Sequence, residues 1–352
     1  MTYTSIKPGE TWLDTSGKPI EAHAGGIFYE NGTYYWYGEN KAETDGISPV
    51  WTTGIKIYQS KDLYNWEDLG YLIPPVRDDE NSSLHPHKRV DRPHILKNEK
   101  TGKYVCWIKL SGDEGCFTIW QADSLLGNYE CVENVYYPDG HKIGDFDLIE
   151  ESGKAYLFTD IEHSGIYCYE LTEDYLATAK EINRHYTGLH APFVREAPAL
   201  LKKDGCYWML TSGMTGYLPN KSDRAVSASV TDQFESKGNP HIDDVSNASF
   251  NSQISYIFKV PNRDLYIALA DRWVPDFIID AHKADVIERA IARHFDPENY
   301  QVTQEELAIL MNSPMLKTAD TSKARYVWLP ITFENNQPVI RWYDEWRIED
   351  FD

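Results

Sequence analysis

One short unit recurs along this chain and limits the folds open to it: a tight turn followed by an aromatic-rich strand. It appears as Asn31-Gly32-Thr33-Tyr34-Tyr35-Trp36-Tyr37, as Thr101-Gly102-Lys103-Tyr104-Val105-Cys106-Trp107, and as Ser152-Gly153-Lys154-Ala155-Tyr156-Leu157-Phe158. Asp204-Gly205-Cys206-Tyr207-Trp208-Met209-Leu210 is a fourth copy, and Arg263-Asp264-Leu265-Tyr266-Ile267-Ala268-Leu269 a weaker fifth. In the first four, glycine supplies the positive φ of a hairpin turn, and the residues after each turn have strand character. Each copy is followed by a second strand signal, such as Gly54-Ile55-Lys56-Ile57-Tyr58 or Arg325-Tyr326-Val327-Trp328-Leu329. Five recurrences at intervals of roughly 50–70 residues predict a repeat architecture. The expectation is an all-β, five-bladed β-propeller forming one domain over residues 1–352, in preference to a generic β-sandwich. A chain of 352 residues that is 41% hydrophobic can fill such a core.

The repeat breaks once, between Asp276 and Lys323. Asp280–Ile291 carries apolar residues at helical spacing, and Thr303-Gln304-Glu305-Glu306 reads as a capping box ahead of Leu307, Ile309 and Leu310. The segment 276–323 is therefore expected as a helical insertion in the last blade, serving as a lid, an oligomer contact or decoration.

Charge removes several function classes. With 34 basic and 55 acidic residues the net charge is −21, and no basic stripe stands out. Such a chain repels phosphate backbones and anionic lipid, so neither nucleic acid nor membrane is an expected partner. No run approaches the roughly 20 apolar residues of a membrane-spanning helix, and the N-terminal residues lack a signal-peptide pattern. Five cysteines without a CxxC spacing read as buried free thiols, not a zinc site, which places the protein in the cytoplasm unless a leader has been removed. The 24 Tyr and 11 Trp suit strands, and such rings also lie well against sugars.

A propeller brings one end of each blade's innermost strand to a shared axis. Polar residues at those ends can therefore meet: His23 and Glu39 in blade one, Asp91 and Arg92 in blade two, Asp145 in blade three, Glu196 in blade four and Gln253 in blade five. Hydrolysis of a glycosidic bond needs an acid for the leaving oxygen and help for the attacking water. Glu196, in Arg195-Glu196-Ala197-Pro198, suits the acid if its pKa lies above the usual ~4.3. Burial and a nearby carboxylate would both raise it, and Asp145 is the expected neighbour, with Asp147 its competitor. The plainer readings are a solvated surface glutamate for Glu196 and a turn residue for Asp145.

The sequence resembles glycoside hydrolase family 43 over nearly its whole length. It is most similar to the branch of exo-β-1,3-galactanases and related exo-acting arabinofuranosidases and galactofuranosidases. The residues carrying the resemblance are Ala22-His23-Ala24-Gly25-Gly26-Ile27, Tyr34 to Glu39, Asp91-Arg92-Pro93, Arg195 to Ala199, Thr211 to Tyr217, Ser252-Gln253, Asp271-Arg272-Trp273 and Tyr326 to Pro330. The resemblance implies a five-bladed propeller and an inverting single displacement, with Glu196 as acid and Asp145 raising its pKa. It also implies that Gln253 stands where the water-activating base is expected, because His23 occupies the position of the family's usual first-blade aspartate. Glu39 and Asp91 would bind substrate hydroxyls and are the reserve candidates for activating water. His23, Thr215, Tyr217, Arg272 and Trp273 would complete the substrate-binding set. Gly144 ahead of Asp145, where the branch more often has arginine, is a departure, as are Asp91 in place of glutamate, Tyr217 in place of tryptophan, and the insertion.

No cofactor is expected, although some family members hold a central calcium ion, for which His23 is the nearest candidate. His85, His87 and His94 cluster near Asp91, and His85-Pro86-His87 reads as a solvated loop or substrate rim ahead of a metal site. The expected partner is an oligosaccharide or polysaccharide such as arabinogalactan, releasing terminal galactose, arabinofuranose, galactofuranose or xylose; the oligomeric state is open. The competing functions are a non-catalytic sugar-binding propeller and a protein-interaction scaffold.

Overall fold

In a computed structural model of the chain, which describes residues 2–314 and 318–351, five four-stranded antiparallel sheets follow one another along the sequence. Within each sheet the strands pair in chain order. The five predicted turns are the hairpins joining the first and second strands of the five blades. The first strands are His23–Glu30, Val90–Lys97, Ile143–Glu151, Arg195–Lys203 and Gln253–Lys259. They pack against one another in chain order, and the fifth returns to the first, so they form the inner ring of a five-bladed propeller.

Aromatic packing seals blade five against blade one. Trp36 meets Trp328 at 4.4 Å between ring centroids, and Trp12 and Trp66 flank the pair at 5.0 and 6.1 Å from Trp328. The N-terminal segment crosses to the other end of the chain, where Ile6 and Trp346 exchange backbone hydrogen bonds of 2.8 and 3.0 Å. The repeated aromatic strands thus supply inter-blade packing, which is where most of their rings are buried.

Local backbone geometry positions the functional ends of three inner strands. The pairing of His23, Asp91 and Glu196 is each followed by a β-bulge. The next residues, Ala24, Arg92 and Ala197, have φ of 47°, 48° and 51°. A bulge of this kind bends the strand and re-aims the side chains at its end. Gly25 belongs to the same feature: a Cβ there would overlap the Tyr37 carbonyl oxygen.

The insertion lies between the second and third strands of blade five. Helix α1 (Ala281–Phe295) is capped by Asp280, and helix α2 (Gln304–Met311) opens with the predicted box between Thr303 and Glu306. Arg289 ties the helices together through Glu306 at 2.7 Å. Residues 315–317 of the predicted insertion lie outside the described residues. Two smaller expectations need correction. Cys131 is exposed rather than buried, because it lies on the outer strand of blade two. His85 is buried in its loop instead of solvated, and its neighbour His94 is buried on the inner strand of that blade, 3.1 Å from Asp147.

Candidate active site

A cavity of about 380 Å³ opens where the inner-strand ends converge. Its wall includes Glu39, Asp91, Asp145, Glu196 and Gln253, one residue from each blade in turn. The ring order decides which of them are neighbours. Blades three and five flank blade four, so Asp145 and Gln253 stand beside Glu196. Blades one and two are not adjacent to blade four, and they place Glu39 and Asp91 on the far side of the axis.

Asp145 Oδ1 is held by Arg92 Nε at 3.0 Å and Lys109 Nζ at 2.6 Å. Burial by itself would raise this carboxyl, but the two cations overcome it and hold it at about 2. Glu196 moves the other way. Burial pushes it up and the Asp145 charge adds to that, against the pull of Lys109 and Arg92, leaving it at about 8. The two carboxyls are thus driven far apart, so that one is an anion and the other a proton carrier at neutral pH. Gly144, the departure beside Asp145, has a local reason: a Cβ there would overlap Asp160 Oδ2, the oxygen that holds His163 Nδ1 at 2.8 Å.

Gln253 stands directly against the expected acid. Its Nε2 donates to Glu196 Oε1 at 3.1 Å and to Ser212 Oγ at 2.9 Å, while its Oε1 accepts from Arg92 Nη2 at 2.9 Å. In an inverting glycosidase the acid and the water-activating group stand roughly 6.5–9.5 Å apart, with the sugar and the water between them. In this structure Gln253 and Glu196 are in direct contact, closer than that spacing. These contacts hold the Gln253 amide between Glu196, Ser212 and Arg92.

Glu39 is 1% exposed. Its Oε1 accepts the Arg92 backbone N–H at 2.8 Å, and its Oε2 faces Lys41 Nζ at 2.7 Å. Burial raises its carboxyl to about 7, and the Asp91 charge assists against Lys41. Asp91 accepts from Trp51 Nε1 at 2.7 Å and from Ser111 Oγ, and lies 3.7 Å from Lys41 Nζ.

The aromatic wall is Trp51, Tyr217 and Trp273, with neighbouring centroids 6.0 and 5.3 Å apart. Three residues expected to touch substrate are not in the wall. His23 is buried behind it, stacked on Tyr326 at 4.6 Å and bound to Asp271 at 2.8 Å. Arg272 turns away to the carbonyls of Phe250 and Asn251. Thr215 is committed to Leu218 and Asn220 within its own loop. Asp147, the competitor of Asp145, ties blade three to blade four by accepting the Leu200 N–H at 2.7 Å. Among the described residues, no group of three or more His, Cys, Asp or Glu is arranged to hold a metal ion.

Sequence reasoning missed Trp51, Lys109 and His163, all in the wall. Lys109 had a faint signal, as the one charged residue inside the otherwise apolar run Tyr104–Leu110. Trp51 lies in a segment without regular structure and had none.

Comparison with known proteins identifies the family. The family model described as glycosyl hydrolases family 43 matches residues 18–272. A GH43 β-1,3-galactosidase is 29% identical, with a TM-score of 0.78, over 100% of this chain and 65% of that one. The chain therefore spans just under two thirds of that protein's length. A second GH43 β-1,3-galactosidase, solved with galactodeoxynojirimycin, is 26% identical with a TM-score of 0.76, covering 97% of this chain and 100% of the other. The exo-β-1,3-galactanase of Clostridium thermocellum is 25% identical with a TM-score of 0.73, over 97% of this chain and 66% of its own.

Proposed function

Since the chain belongs to glycosyl hydrolases family 43 and is a glycoside hydrolase, we propose that it removes terminal galactose from β-1,3-linked galactosyl chains, as in arabinogalactan, with inversion at the anomeric carbon. Membership in this family replaces the readings of a non-catalytic sugar-binding propeller and of a protein scaffold. The observation that carries the proposal is the Glu196–Asp145 pair, a high-pKa carboxyl beside a permanently charged one in a saccharide-sized cavity. The β-1,3-galactosidase names of two similar structures favour galactose over the other sugars.

In this reading Glu196 donates its proton to the leaving oxygen as the glycosidic bond breaks. Gln253 holds the carboxyl of Glu196 in place. Asp145 keeps that carboxyl protonated until the transition state and stabilises positive charge developing on the sugar. Water activation belongs to the far-side carboxylates, with Asp91 as the base and Glu39 binding a hydroxyl. Trp51, Tyr217 and Trp273 pack against the apolar face of the ring.

The test is Glu196→Gln on aryl β-galactosides and on β-1,3-galacto-oligosaccharides. Loss of a general acid is expected to cost about 10²–10⁴-fold on the oligosaccharides and much less on substrates with good leaving groups. An equal loss on both would overturn the assignment. NMR of the first product should show α-galactose, and β-galactose appearing first would exclude inversion.

A further inference from the structure

If Glu196 protonates the leaving oxygen, the sugar that carries this oxygen lies on the Glu196 side of the cavity. Blades three and four line that side. Arg92 and Lys109 are engaged there with Asp145, and Gln253 with Glu196. Besides Asp145, the polar side chain that blade three gives to the wall is His163. Glu196 and Asp145 both lie within electrostatic reach of its ring, so it stands with them and not with Asp91 and Glu39 across the axis.

His163 is held in place from below. It sits in the hairpin between Lys154–Ile161 and Ile166–Leu171, the second and third strands of blade three. Glu162 and His163 have φ of 50° and 55°, and the Ser164 N–H closes the turn on the Ile161 carbonyl at 2.8 Å. Asn-Gly suits such a turn best, and neither residue stands here. The imidazole Nδ1 is bound to Asp160 Oδ2 at 2.8 Å. Asp160 is 1% exposed, and its Oδ1 has no hydrogen-bond partner among the described residues. Burying a carboxylate for one contact is costly. What the contact supplies is a fixed imidazole, with Nδ1 turned to Asp160 and Nε2 pointing away from it. Gly144 leaves the space that this carboxylate fills. The His163 side chain is itself 64% exposed, and its Nε2 makes no hydrogen bond among the described residues.

We propose that the free Nε2 of His163 hydrogen-bonds a hydroxyl of the leaving-side sugar, so that the blade-three hairpin selects that sugar. Asp160 is the positioning residue behind it. This rests on the glycosidase reading above and adds the residue that recognises the leaving half of the substrate.

The experiment compares β-1,3-galactobiose with benzyl β-galactoside. Both leaving groups are alkoxides that need the proton of Glu196, but only the disaccharide offers sugar hydroxyls on the leaving side. The assay is run at pH 6, where Glu196, at about 8, carries its proton. His163→Ala should lower kcat/KM on the disaccharide by about 10-fold, the size of one hydrogen bond, and change the benzyl galactoside by less than about twofold. Galactobioses lacking one leaving-side hydroxyl at a time then locate the contact: one of them should be cleaved equally well by the wild type and by His163→Ala. Asp160→Asn should show a smaller loss with the same substrate pattern, and a loss on the benzyl galactoside as well would remove its positioning role. Equal losses of His163→Ala on both substrates would mean that it acts through Glu196, and no loss on either that it is idle; each overturns the proposal. Should the wild type cleave neither galactoside, the galactosyl reading fails on its own. The same pair is then made with the sugar that the wild type does release from arabinogalactan, and the same ratio of losses supports or overturns the role of His163.

Discussion

Asp145→Asn tests the electrostatic core of the site. The substitution keeps the shape of the side chain and removes one negative charge. In the native protein that charge has two consequences: it helps to hold Glu196 at about 8, and it neutralises Arg92 and Lys109 at 3.0 and 2.6 Å. Without it, Glu196 loses a neighbour that favours its protonated form and faces two unscreened cations that favour the ionised one. A nearby charge is worth about 1–3 pH units, so the alkaline limb of kcat/KM should move down from about 8 by that amount. With a pKa of 8 roughly nine tenths of the enzyme carries the acid proton at pH 7, and with a pKa of 6 about one tenth does, a tenfold loss from protonation alone. The sign is testable separately from the size: the variant should recover relative activity as pH falls from 7 towards 5. The assay is a pH profile of kcat/KM on an unactivated galactosyl disaccharide, with a thermal melt at each pH, because leaving the two cations unpaired can cost about 3–5 kcal/mol of stability. A folded variant whose alkaline limb stays where the wild type's lies would refute the reasoning, since burial alone would then be setting the proton on Glu196.

Other expectations follow from the same geometry. Glu196 has a folded pKa above its ordinary value, so its contribution to stability is full below about 4.5 and is lost as pH rises through about 8; Glu196→Gln should therefore melt higher than the wild type at pH 9 by a few kcal/mol equivalent and match it near pH 4, and a constant offset across that range would contradict the burial argument. Asp91→Asn should abolish turnover on all galactosides, activated or not, and azide should restore some of it by replacing the base; Glu39→Gln should mainly raise KM, and the reverse pattern would exchange their roles. Gly25→Ala should cost at least about 3 kcal/mol in urea denaturation, because its Cβ would overlap the Tyr37 carbonyl and neither strand can give way without breaking the blade-one bulge.

Much of this protein is written locally. The five glycine- or asparagine-containing turns, the aromatic strands after them and the Thr303 capping box act over a few residues, so the propeller and the helices of its last blade can be read without coordinates. Glu196 and Asp145 could also be named, because a propeller brings known strand ends to one axis and the resemblance points to the same positions. What tertiary structure alone decided depends on which blades are neighbours and on which way a side chain turns at a bulge. Ring closure put Gln253 against Glu196 and placed Asp91 and Glu39 across the axis. The bulges put Arg92 beside Asp145 and hid His23 behind the wall. Trp51 reaches the site from irregular chain, where no periodicity announces a role. Sequence sets charge and propensity residue by residue; the pKa values of Glu196 and Asp145 are properties of distances between blades, and those exist only once the ring has closed.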